Sequence, residues 1–98
     1  MAVLRGVMRL ESVEAYERAF AELRRLCLSA SDAPPYVIDL SEVVLMNSSG
    51  IRVLGALVLD AKRAGLALVI RGKADVVWQR KSIPALQSLH PDLIVDLG

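Results

Sequence analysis

Apolar residues recur along this chain in two rhythms that alternate, short β-leaning runs and longer stretches spaced by three and four. Residues 3–10 form a β-leaning segment around Gly6 and read as one strand, or a bulged strand, ending near Leu10. Ser12 then suits a helix N-cap, with Glu14 in the first turn favouring the helix dipole. Val13, Tyr16, Phe20, Leu23 and Cys27 follow on one helical face, with Glu14, Glu17, Arg18, Arg24 and Arg25 off it. This helix fades by Ser29, and residues 31–35, with two prolines, read as a loop.

Residues 36–40 are almost continuously hydrophobic and predict a buried strand. A turn at Ser41–Glu42 and a second short apolar run over 43–46 follow. A helix then starts at Asn47 or Ser48 and runs to about Ala64, with Ile51, Leu54, Leu57, Val58 and Ala61 as its core face and Gly65 at C′. Residues 66–70 predict another buried strand, broken by Gly72. Residues 74–81 are helical by composition, anchored by Val76, Val77 and Trp78, until Pro84 ends or kinks the helix. Residues 85–89 add a turn, and 93–97 form the last strand.

The resulting order, β-α-β-α-β-α-β, is that of an α/β domain with parallel strand pairs and right-handed crossovers. Ninety-eight residues fit one domain, taken as 1–98, and a 54% hydrophobic content can build its core. A net charge of +1 argues against nucleic acid or an anionic membrane surface as partner. Cys27 is the only cysteine, which suits a reducing cytosol, and no apolar run reaches the length of a membrane span. A cytoplasmic domain is the expectation.

One segment carries chemistry. An apolar run stops at a polar cluster, Asn47-Ser48-Ser49-Gly50, and a helix begins at once. That places Ser48 or Ser49 at a helix N-terminus, where N–H groups are unpaired and the dipole end is positive, a tolerant place for a phosphate. The longer order Asp39-Leu40-Ser41-Glu42-Val43, then Asn47-Ser48-Ser49-Gly50-Ile51-Arg52-Val53-Leu54, resembles the signature of STAS domains, the bacterial anti-sigma factor antagonists and their relatives. The resemblance covers residues 36–97 well and the first 35 weakly. It implies a small mixed β-sheet with helices packed on it.

It also implies function. In phosphorylated STAS antagonists the serine directly before Ser-Gly accepts phosphate from a kinase that is itself the anti-sigma factor, and here that serine is Ser48. A phosphoserine adds about −1.5 to −2 charge and could switch a docked complex off without unfolding the domain. The plain alternative is that Ser48 is an N-cap worth about 1 kcal/mol. Asn47 stands where the commonest pattern has aspartate, keeping an acceptor oxygen but no charge. Ser49 is the competing phosphate acceptor, Gly50 allows close approach of the helix start, and Asp39 is expected to accept hydrogen bonds from the Ser48–Gly50 backbone. Arg52, Ala56, Leu59 and Arg63 lie opposite the core stripe of the same helix and form the expected docking patch, with Leu59 its exposed apolar member.

The implied partners are a serine kinase/anti-sigma protein and a PP2C-type phosphatase, with the domain itself a monomer or weak homodimer, without cofactor and without catalysis. The alternative is a constitutive scaffold or sensor of the same fold. His90 is the only histidine and precedes Pro91 in a predicted loop, so a metal site or a serine hydrolase lacks its partners. No glycine-rich phosphate loop with a lysine is present.

Overall fold

The computed structural model describes residues 1–29 and 35–98. The loop expected at 31–35 falls, but for Pro35, outside them. The elements in order are β1 (Ala2–Met8), α1 (Val13–Ala19), α2 (Ala21–Ser29), β2 (Tyr36–Met46), α3 (Ser48–Arg63), β3 (Leu68–Arg71), α4 (Val77–Ser82), a 3-10 helix (Pro84–Ser88) and β4 (Ile94–Asp96). The α/β class and the alternation are those the pattern predicts. The four described strands lie in the order β1-β2-β3-β4, and every pair is parallel, so the sheet is uniform rather than mixed.

Sequential order with crossovers of one hand places all helices on one face of the sheet. Ile38, Leu40, Val43 and Met46 of β2 and Leu68 and Ile70 of β3 point into that helical layer and are buried. There they meet Tyr16, Phe20, Leu23 and Cys27 from α1 and α2, and Leu54, Leu57, Val58 and Ala61 from α3. The alternate strand residues face away from the helices.

The turn expected at Ser41–Glu42 is strand. β2 runs eleven residues without a break, and the polar pair marks an irregularity in pairing instead. Val3 pairs with Asp39 but Arg5 with Glu42, and Gly6 pairs with Val43 but Val7 with Leu45, so β2 carries one extra residue at each step. The buried positions record both insertions: Ile38 and Leu40 are two apart, Val43 and Met46 follow at intervals of three. A bulge shifts the side-chain alternation by one and restores the apolar side chains to the core face.

The single helix expected over residues 13–29 is two. Phe20 has ψ 3°, outside the helical range, and the bend keeps both α1 and α2 against α3. The apolar face continues through the joint, with Tyr16 and Phe20 edge to face at 5.7 Å between ring centres. α3 ends as predicted, with Gly65 at φ 70°. Its buried face is wider than expected: Gly50, Val53 and Gly55 are also buried, and Ile51 only half so, because helices flank α3 on both sides.

Three smaller corrections concern the C-terminal third. β3 begins at Leu68, since the Leu66 N–H still turns back to the Ala61 carbonyl at 2.9 Å. Val77 is 54% exposed, and the buried member of α4 is the polar Gln79. His90 is buried, its Nε2 3.0 Å from the Leu66 carbonyl, and acts as a tie between the chain before β4 and the start of β3.

Candidate functional site at the start of the third helix

Asn47 is the hinge of the site. Its side-chain oxygen accepts from the Gly50 N–H at 3.2 Å, capping α3, and its amide nitrogen donates to the Leu10 carbonyl at 2.9 Å. The Asn47 N–H also donates to the Met8 carbonyl at 3.2 Å. One side chain thus caps the helix and fastens the loop after β1. Aspartate supplies only acceptors at neutral pH and cannot make the second bond, which gives the asparagine a structural reason.

Gly50 is buried beneath this cap. A Cβ there would lie 2.7 Å from Cε1 of Tyr16 and 2.7 Å from Cγ of Met46. The close approach expected of Gly50 is therefore made within the chain, against α1 and the end of β2. The Tyr16 hydroxyl accepts from the Leu10 N–H at 3.3 Å, so the same ring that packs on Gly50 holds the loop. Tyr16 and Leu10 belong to the site, yet their sequence signal is only that of an ordinary helical core position and a strand end.

Ser48 opens α3 with its side chain exposed, and Ser49 beside it is half-buried. Among the described residues, no side-chain hydrogen bond engages Ser48. The cap on Gly50 is supplied by Asn47, so the Ser48 hydroxyl is not the helix cap and is open to solvent.

Arg52, one turn on, is exposed, and the stripe continues through exposed Ala56 to exposed Arg63. From Ser48 to Arg63 this ridge spans roughly 22 Å. Leu59 is half-buried rather than exposed. It sits with Ile51, Leu86 and Leu89 in an open groove of about 520 Å³ between α3 and the 3-10 helix, rimmed by Arg52 and Lys81. A second groove, of about 680 Å³, runs along the other flank of α3 against α1 and α2, with Phe20 and Leu57 in its wall. Asp60 on that side takes Arg24 at 2.8 Å and Arg63 at 4.0 Å, exposed pairs that contribute little to stability. The ridge thus stands between two partly apolar furrows, a detail that a helical wheel does not show.

Asp39 is not part of this cluster. It lies eight residues before Asn47 on an extended strand, roughly 20 Å away, and its side chain faces the open side of the sheet. Its carboxylate accepts from the Ser41 N–H at 2.9 Å and the Ser41 hydroxyl at 2.6 Å. These two bonds, helped by Arg71 and Lys73, hold its carboxyl below the usual range, against the opposing effect of desolvation. The expected bonds to the Ser48–Gly50 backbone are absent.

Among the described residues no group of three histidine, cysteine, aspartate or glutamate side chains could hold a metal ion, and no helix is long and apolar enough to cross a membrane. Burial pushes the Cys27 thiol up. What the start of α3 offers is an exposed ridge between two partly apolar furrows, with a free hydroxyl at one end. A family model described as Mlab, STAS domain, matches residues 3–83. Comparison with curated proteins and with solved structures gives no match.

Proposed function

We propose, on the premise that this chain belongs to the STAS domain family, that it is a regulatory binding module of the cytoplasm which docks a serine kinase/anti-sigma-type protein through α3. Phosphorylation of Ser48 releases that partner, and a PP2C-type phosphatase resets the switch. The domain catalyses nothing itself; the partner uses the ATP.

The observation that carries this reading is the division of labour between Asn47 and Ser48. Because Asn47 caps α3, the Ser48 hydroxyl is free and solvent-exposed at the mouth of the docking ridge. A phosphate there stands at the positive end of the helix and one turn before Arg52, the favoured order for an i,i+4 ion pair. The charge is accommodated within the chain, while a partner seated on the ridge would have to desolvate it. The two furrows beside the ridge give a partner apolar purchase, and Arg52 and Arg63 favour an acidic one.

The test is intact-mass analysis after incubation with ATP and kinase-active extract of the source cell, on wild type and Ser48→Ala. One added phosphate on wild type, missing from the variant, supports the switch. No phosphate on either leaves the constitutive scaffold as the function, with pull-down against a Leu59→Glu control as its measurement.

A further inference from the structure

All-parallel sheets are normally covered on both faces, because each face is apolar. Here the described helices lie on one face only, and among the described residues the other face is open, with apolar and charged rows in turn. Val37 of β2, Val69 of β3 and Ile94 of β4 stand side by side in register across three strands, and Ile94 is 52% exposed. Further along the sheet Val7 and Val44 are 58% and 66% exposed. This apolar surface is not needed for the core.

The next row on the same face is apolar at Val3 and charged at its other three positions, with Arg71 3.6 Å from Asp96 within the chain. Val3, Asp39, Arg71 and Asp96 lie in register across all four strands. Rotation by half a turn about an axis along the strands, between β2 and β3, exchanges β2 with β3 and β1 with β4. It sets Val37 against Val69 of a second copy, and Asp39 against Arg71, each pair occurring twice. The pattern is self-complementary, as an isologous interface requires, and the aligned strands suit sheet-on-sheet packing.

We propose that the open face of the sheet takes a second copy of this chain, face to face about that axis. The axis overlaps the copies only where β2 and β3 run side by side, Tyr36–Asp39 against Leu68–Arg71, so four strands spaced about 4.8 Å present roughly 250 Å² per copy, well short of the about 800 Å² per partner of a standard interface. The dimer is accordingly weak and concentration-dependent. It leaves α3 free on the far side of each copy, so it stands or falls separately from the docking reading.

Sedimentation equilibrium of the chain from about 5 to about 500 μM tests it, with a dissociation constant in the high micromolar range expected. Ile94→Lys weakens association at least about tenfold, whereas Leu59→Glu, on the helical side, leaves it unchanged. Arg71→Glu and Asp39→Lys each weaken it, because each sets like charges against one another, and the double variant restores it. Circular dichroism confirms that each variant is folded; Val3→Glu, at an exposed position that the axis sets against Asp96 of the second copy, replaces any that is not. A chain that stays monomeric throughout overturns the proposal, as does a dimer indifferent to Ile94→Lys or sensitive to Leu59→Glu. Failure of the double variant to restore association overturns the two-fold pairing.

Discussion

The Gln79 side-chain nitrogen lies 2.7 Å from the Leu40 carbonyl oxygen, and the pair joins α4 to the middle of β2. β3 ends at Arg71, opposite Asp39, so β2 runs on for seven residues with no strand on that side. Gln79 and Trp78 take the strand's place. The Gln79 nitrogen also donates to the Val43 carbonyl at 2.9 Å, its oxygen accepts from the Lys73 N–H at 2.6 Å, and the Trp78 ring nitrogen donates to the Val43 carbonyl at 2.7 Å. A buried polar side chain here satisfies an edge that would otherwise be left unpaired.

Gln79→Leu keeps the volume and strands these backbone groups in the core. Two or three orphaned groups at about 1 kcal/mol or more each predict a loss of about 3 kcal/mol. Urea denaturation of variant and wild type measures it; a loss below about 1 kcal/mol contradicts the tie.

Gly50→Ala sets a methyl against an aromatic ring and the Met46 side chain at the 2.7 Å contacts described above. The ring is fixed by its hydroxyl bond to Leu10, so α3 must shift, at a cost of about 2 kcal/mol. The melting temperature reports it, and the Tyr16 environment in near-ultraviolet circular dichroism changes with it.

Asn47→Asp brings the family's commoner residue into this chain. The cap on Gly50 survives and the dipole favours the charge, but a carboxylate oxygen now faces the Leu10 carbonyl. The expected outcome is a net loss of about 1 kcal/mol at neutral pH, read by thermal unfolding. An unchanged or higher melting temperature would show that the bond to Leu10 contributes nothing.

Ser48→Asp tests whether negative charge is tolerated at that position. The side chain is exposed and at the positive end of α3, so stability stays level or rises by up to about 0.5 kcal/mol. A clear fall in melting temperature would mean that a phosphate there disturbs the fold and not only the docking surface.

Asp39 gives a pH dependence of known sign. Its carboxyl is held below the ordinary range when folded, so in acid the unfolded chain binds the proton first. Its stabilising contribution is complete above about pH 4, the unfolded value, and is lost as pH falls through the folded one. Asp39→Asn lowers stability at neutral pH and flattens the fall below about pH 4. Urea denaturation across that range checks both effects, and parallel curves for the two proteins would contradict them.

Much of this architecture was legible along the chain because local spacing carries it. The three-and-four rhythm from Val13 to Cys27, the stop at Gly65 and the polar cluster before α3 each report a neighbouring backbone geometry. The freedom of Ser48 is not reported this way: the serine stays a candidate cap until Asn47 is seen to cap Gly50. Contacts between distant segments leave no such trace. Glu42 reads as a turn residue until β1 shows which neighbours it pairs with, and Leu59 reads as exposed until the 3-10 helix arrives beside it. Asp39 lies close to Ser48 in sequence, but an extended strand carries it far away and turns it to the other side of the sheet. Asn47 reads as a substitution for aspartate until Leu10 supplies a carbonyl that needs a donor. Hydrophobic periodicity assigns each residue to a face of its own element; only packing of the elements decides what meets that face, and on the open side of this sheet it leaves the face bare.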